Sequence, residues 1–249
     1  MVRIENRILS PTAINTYLSC PRKFYLRYIK KLRTKPSIYL IRGQIVHQTI
    51  CRFHGNHPRI ATGMPLGKIR QELLGIFNDL WEKADYQLNA LGLSFEQIEF
   101  YHDESELMLL NFSHWFYKHE MPIPDLSEAR IFSNNLSTMG IIDAVHKRDD
   151  SVVLVDYKTS KHAKITDDMM RQAALYALLY EDKYKVVPDT VYIHFLKDPK
   201  DPQPIHIDEA LLDYGKIVIE SVREKTMSQD KESYPCTCGG YCERDFIKG

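Results

Sequence analysis

The chain has 249 residues, 44% hydrophobic and 27% charged, with 33 Lys plus Arg set against 33 Asp plus Glu. That length suits one large domain, or a domain carrying a sizeable insertion, and can bury a real core. The formal net charge of +0 excludes a whole-molecule electrostatic grip on nucleic acid while leaving room for a local basic groove, and no apolar stretch is long enough to span a bilayer. The start, Met1-Val2-Arg3-Ile4-Glu5-Asn6-Arg7, lacks the apolar core of a signal peptide. The expectation is a soluble, cytoplasmic protein with no membrane partner.

Ser10-Pro11 reads as a helix start, a capping hydroxyl followed by proline at the first helical position, with Ile14, Tyr17 and Leu18 at helical spacing. Cys20-Pro21 interrupts it, and Phe24 to Ile29 begins a second helix. Residues 39 to 53 predict another helix, carrying Gly43 and His47 and, packed within it, Cys51. Leu66, Ile69, Leu73, Leu74, Phe77, Leu80 and Trp81 recur at the spacing of an amphipathic helix. A long helix is expected over residues 94 to 119, including Leu107, Leu110, Trp115 and Phe116, with its aromatics as core. Pro122 and Pro124 end this helical region. Three strands then follow at 128 to 136, 138 to 147 and 151 to 158. Short turns at Ser137 and Asp149-Asp150 make them antiparallel neighbours. A helix over 165 to 181, a strand over 189 to 197 and a helix over 207 to 226 complete the chain, apart from a cysteine-bearing tail. The order predicts an α/β or α+β core behind a helical N-terminal part.

The third strand, Val152-Val153-Leu154-Val155-Asp156-Tyr157-Lys158, is the most informative stretch. Apolar β-branched runs are buried strands, and such strands seldom carry charge without a reason. Alternation puts Asp156 and Lys158 on one face and Tyr157 on the other. With Asp143 on the preceding strand, this set suits metal-assisted phosphodiester cleavage. Carboxylates hold a hard cation such as magnesium or manganese. The cation acidifies water and clamps phosphate oxygens, and the lysine orients the water or neutralises developing charge. A structural Asp–Lys pair at a strand end is the competing reading of these residues taken alone.

Asp143 in Gly140-Ile141-Ile142-Asp143-Ala144-Val145 and the run Asp156-Tyr157-Lys158-Thr159 resemble the PD-(D/E)XK nuclease superfamily. Two further signals resemble its RecB-like branch: Gly43-Gln44-Ile45-Val46-His47 on a helix, and Gln172-Ala173-Ala174-Leu175-Tyr176 after the lysine strand. The resemblance spans roughly residues 10 to 180. It implies a restriction-endonuclease-like mixed β-sheet flanked by helices and a metal site formed by His47, Asp143 and Asp156. It also implies that Lys158 assists the water and that Gln172 and Tyr176 hold the site or the DNA. A nitrogen ligand at His47 tilts the preference toward manganese. Glu128, at the start of the first strand, is a weaker candidate acid, since many strand starts carry a solvated glutamate.

The five cysteines are Cys20, Cys51, Cys236, Cys238 and Cys242. In an intracellular chain, three thiols crowded into the tail point to metal rather than disulfides. With Cys20 they make four thiolates, the number that holds an iron–sulfur cluster or a zinc ion. One cysteine near the start and three near the end resemble the iron–sulfur nucleases of the RecB-like branch. These are the AddB-type domains and, for a chain this short, the CRISPR-associated Cas-four exonucleases. The match is clearest from Ser10 to Lys23 and departs in the tail, where the gaps between cysteines are shorter than the family's, so zinc stays open beside a 4Fe-4S cluster. The resemblance implies a metal-dependent exonuclease on single-stranded DNA ends, acting with CRISPR integrase proteins. A RecB- or AddB-like repair or mobile-element nuclease is one alternative, and a non-catalytic iron–sulfur DNA-binding or assembly protein another.

The expected organisation is a single nuclease domain over 1–249, with a helical insertion at 55–122 and the cluster region at 234–249 together with Cys20. The basic stretch Arg22, Lys23, Arg27, Lys30, Lys31, Arg33 and Lys35 is interleaved with Phe24, Tyr25 and Tyr28. It reads either as a phosphate- and base-binding surface or as a solvated helix face. Lys161 and Lys164, just beyond the lysine strand, are weaker candidates of the same kind.

Overall fold

Helix ends follow from local chemistry in the computed structural model of the chain, which describes residues 7–57, 63–148 and 151–247. Helix α1, Pro11–Ser19, begins where the Ser10 hydroxyl accepts the Ala13 N–H at 3.1 Å and Pro11 occupies a position whose N–H has no helical partner. Pro21 starts α2 (Pro21–Phe24) at once, leaving Cys20 as an extended residue between two helices. The turn continues as a π-helix over Tyr25–Ile29, in which the Lys30 N–H reaches back to the Tyr25 carbonyl. Ser37 caps α3 (Ile38–Gly55). Helices α4 (Leu66–Lys83), α5 (Asp85–Asn89) and α6 (Phe95–Lys118) follow, and Ser94 and Gln97 form a reciprocal capping box at the start of α6.

Strands β1 (Leu126–Ser133), β2 (Thr138–Arg148), β3 (Ser151–Lys158), β4 (Thr190–Phe195) and β5 (Gln203–His206) form one sheet in chain order. β1 to β3 make an antiparallel meander. β4 lies parallel to β3 after a crossover through α7 (Asp167–Tyr184), and β5 returns antiparallel. The sheet is therefore mixed, as parallel neighbours need a helical crossover and antiparallel ones only a turn. Helices α3, α4 and α6 share a core with Ala144, Val155 and Tyr157. α7 packs against Ile131, Ile142, Leu154 and Ile193. Behind α7 lie α1 and the last helix, α8 (Glu209–Lys225), joined through Leu175 and Leu178. With helices on both faces, the central strands are covered on both sides, which explains the unbroken apolar Val152–Val155 run ahead of Asp156.

The expected mixed α/β architecture is present, with local differences. β1 starts at Leu126 and ends at Ser133, because Asn134–Ser137 form a four-residue turn in which the Ser133 hydroxyl accepts the Leu136 N–H and Ser137 takes a positive φ of 42°. Asp149-Asp150, the other expected turn, lies outside the described residues. β5 was not expected from the sequence. It is an edge strand, where the missing N–H of Pro204 is tolerated. On α6 the aromatics Phe112 and Phe116 are buried as core and Trp115 is half-buried. Among the described residues, no helix is long and apolar enough to cross a membrane.

Candidate active site and cysteine cluster

The β2/β3 ladder carries the site. Its last pair is Ala144 with Val155. Beyond that pair the backbone pairing stops, and the Asp143 side chain takes over: its Oδ2 accepts the Tyr157 N–H at 2.7 Å. The other oxygen, Oδ1, lies 3.2 Å from His47 Nδ1. Opposite Asp143 on β1, between the pairs Ser127–Ala144 and Ala129–Ile142, sits Glu128. Its φ of 48° breaks the regular pleat, and its Oε1 stands 3.8 Å from His47 Nδ1. Donor atoms of His47, Glu128 and Asp143 all lie within 4.8 Å of one another.

Helix α3 delivers His47 from the other side. Gly43, one turn earlier, faces the end of β3, where an added Cβ would stand 3.4 Å from Thr159 Oγ1. Asp156 and Lys158 share a face, as alternation requires, and meet at 2.5 Å between Oδ2 and Nζ. Lys158 also donates to Gln172 Oε1 at 2.7 Å, and Gln172 Nε2 donates to the Tyr176 hydroxyl at 2.6 Å. Gln172 and Tyr176 are one turn apart on α7. Gly140 lets this helix sit close to β2: an added Cβ would fall 2.9 Å from Leu179 Cδ1 and 3.1 Å from the Tyr176 ring.

Electrostatics link these groups. Burial opposes charge on His47, but Asp143, Glu128 and Asp156 outweigh it and raise the imidazole to about 10. Burial pushes Asp156 up and Asp143 adds to that, while Lys158 pulls it down. Burial likewise raises Tyr176 well above the ordinary phenol range. Asp156 Oδ2 is buried without a well-directed hydrogen bond, although Lys158 is near. Three carboxylates and an imidazole fit a divalent cation that takes oxygen and some nitrogen ligands. Asp156 is turned toward Lys158, so its oxygens do not join the tight group of His47, Glu128 and Asp143.

These residues, Glu128 apart, line a cleft of about 770 Å³. Its rim holds groups the sequence reading did not single out. Tyr39 and Phe100 are exposed, at 62% and 57%. Tyr39 and Tyr101 stand 5.6 Å apart edge to face, and the Arg42 guanidinium lies 5.5 Å from each ring. Arg42 and Lys197 both pair with Glu104, the latter at 2.6 Å. Lys161 lines the cleft as well; Lys164 is exposed outside it. Arg42 is legible only through its position beside Gly43 of the histidine motif. Glu128, a weaker candidate from the sequence, gains weight by counting back from the Asn134–Ser137 turn, which sets position 128 opposite 143.

The basic stretch near the N-terminus behaves differently from the base-binding reading. Phe24 and Tyr25 are buried against Tyr234, Arg22 donates to the Tyr234 carbonyl at 2.8 Å, and Lys23 pairs with Asp245 at 2.5 Å. These residues anchor the tail. That anchoring brings Cys20 to the three tail cysteines, and the four sulfurs all lie within 4.8 Å of one another. Cys236 Sγ is 3.6 Å from both Cys238 Sγ and Cys242 Sγ. Burial pushes the Cys20 thiol up, but hydrogen bonds from Thr237, Lys23 and Cys238 outweigh it and bring it to about 6. Cys51 stands apart, half-buried on α3.

Residues 8–244 match the family model of the PD-(D/E)XK nuclease superfamily. No curated protein matches the sequence. Twenty-one chains of solved structures match it. One is a crystal structure from Eubacterium rectale described as a "putative exonuclease", with a TM-score of 0.59 at 10% identity, covering 98% of this chain and 90% of that one. At that identity the likeness speaks to the fold.

Proposed function

The chain belongs to the PD-(D/E)XK nuclease superfamily, and from that premise we propose that it is a divalent-metal-dependent deoxyribonuclease working on unpaired DNA ends. The observation that carries this reading is the meeting of His47, Glu128 and Asp143 beside the Asp156–Lys158 pair, at the point where β2 and β3 part. A bound magnesium or manganese ion would acidify water and neutralise phosphate charge. His47, Glu128, Asp143 and Asp156 are the residues that would hold it. Lys158, fixed between Asp156 and Gln172, presents its ammonium group to the attacking water or to a phosphate oxygen. Gln172 and Tyr176 act through Lys158: Tyr176 orients the amide, and the amide orients the amine.

Exposed aromatic rings beside cations support an unpaired strand as substrate. Tyr39 and Phe100 offer flat faces at the cleft rim for base stacking, and Lys161 offers charge for the backbone. Action from an end is carried over from the description of the Eubacterium rectale neighbour. On the strength of the Ser10–Lys23 segment, which resembles the Cas-four type, the proposal extends to CRISPR spacer acquisition beside integrase proteins. Co-purification with those integrases tests the extension separately from the chemistry.

The test of the chemistry uses purified full-length protein, manganese or magnesium, and end-labelled single-stranded and duplex DNA. Stepwise shortening of the single strand, absent without metal and absent in Lys158→Ala, is the expected result. Cleavage that ignores metal, or that persists in Lys158→Ala, overturns it.

A further inference from the structure

The iron–sulfur resemblance of the cysteine-bearing segments implies a cubane cluster, and the four sulfurs do not fit one. All four lie within 4.8 Å of one another, and two of the separations are 3.6 Å. A tetrahedral ion with metal–sulfur bonds of ~2.3 Å sets its sulfurs ~3.8 Å apart. Even a regular tetrahedron with the full 4.8 Å edge has its corners only about 2.9 Å from its centre, little more than one such bond. A 4Fe-4S cube puts each thiolate on its own iron at a separate corner. Its sulfurs must therefore stand off by the centre-to-iron distance plus a bond, and four irons with four sulfides have no room inside this group.

We propose that Cys20, Cys236, Cys238 and Cys242 hold a single tetrahedral zinc ion. The surrounding backbone is arranged for that load. The Gly240 N–H points at Cys236 Sγ at 3.2 Å and the Cys242 N–H at Cys238 Sγ at 3.1 Å. Such donors offset the negative charge that remains when four thiolates share one divalent ion. Gly239 and Gly240, at φ of 64° and 85°, turn the loop back so that these amides face the sulfurs. Four protein ligands leave no open position, which is the pattern of a structural and not a reactive zinc. The site fastens the α1–α2 junction to the tail. Nearby, the Thr237 hydroxyl donates to the Ser19 carbonyl at 3.0 Å and the Arg22 N–H to the Pro235 carbonyl at 3.2 Å.

This inference does not rest on the nuclease reading. A zinc site would leave the cleft chemistry untouched, but it would withdraw the support that the cysteine helix lends to a Cas-four role. The test is metal and acid-labile sulfide content of the full chain, purified without oxygen from cells supplied with both iron and zinc. One zinc per chain, no sulfide and no visible absorbance is the expected result. Iron in any form, with or without sulfide, overturns it. Replacing the native ion with cobalt(II) gives a second readout on the unmutated chain: intense visible bands of a four-thiolate tetrahedral site are expected, and weak octahedral bands would refute the geometry. Cys20→Ser is expected to lose the zinc, and a Cys20→Ser protein that folds and keeps a full equivalent in these four positions also overturns the proposal.

Discussion

At the cleft, His47, Glu128 and Asp143 arrive from a helix and two strands and offer nitrogen and oxygen; at the chain ends, Cys20, Cys236, Cys238 and Cys242 offer only sulfur. The cleft donors sit on long elements packed on both faces, so the core fixes their geometry before any ion binds. A lysine stands within reach, paired with the Asp156 carboxylate. Three of the four thiols sit on a short tail loop with two left-handed glycines, whose anchorage depends on Arg22, Lys23 and the Tyr234 cluster. On the proposed readings, the first group is held in place by the fold and the second, once it binds its ion, helps hold the fold together.

The largest expected effect acts on both regions together. Buried His54, His146 and His194 are neutral in the folded protein, with burial as the main cause lowering them to about 3, 4 and 3. In the unfolded chain they take up protons near pH 6.5. The unfolded state then binds more protons below that pH, so this contribution to stability is whole above 6.5 and declines as acid is added. Three such groups cost as much as about 4 kcal/mol per pH unit between pH 6.5 and roughly 4. Denaturant midpoints should change little from pH 7.5 to 6.5, where folding-linked proton uptake by His47 offsets the loss, and fall steeply from 6.5 to 5, with both sites lost in one transition. A flat profile would show that these imidazoles titrate in the folded state.

Asp156→Asn or Lys158→Ala should separate the two regions. Each is expected to lower cleavage by about a thousandfold, with a melting temperature within a few degrees of the parent and the cysteine-bound metal retained. Cys242→Ser should do the reverse. Losing a metal ligand that closes the chain ends should cost on the order of 3 kcal/mol, read as a melting temperature lower by ~6–12 °C. Cleavage per folded molecule at low temperature should stay close to the parent. The smallest effect is expected from Glu128→Gln: manganese binding by calorimetry should weaken about tenfold, with cleavage at saturating manganese near the parent value. An unchanged affinity would place Glu128 outside the cation's reach.

How much of this was legible in the sequence varied with the range of the interaction. Ser10-Pro11 and Val152–Val155 carried their own signals, because a cap and a buried strand are decided within a few residues. The pairing of Asp156 with Lys158 followed from the two-residue period alone. Glu128 was undervalued because its worth depends on register: only the hairpin turn at Asn134–Ser137 sets it opposite Asp143. Tyr39 and Phe100 gave no signal at all. They lie in helical patterns where aromatics normally face the core, and only the packing of α3 beside α6 turns them outward at the cleft. Phe24 and Tyr25 were ambiguous for the opposite reason, since a basic and aromatic stretch reads the same whether it meets a base or a distant Tyr234.

The divided use of the Asp143 carboxylate has a mechanical consequence. One oxygen faces the imidazole while the other substitutes for a missing rung between two parting strands. Drawing that carboxylate toward a cation would therefore tug on the seam itself, and seating a cation should zip or loosen the fork. The exchange rate of the Tyr157 amide proton with solvent deuterium would report such a latch directly, without any DNA in the tube.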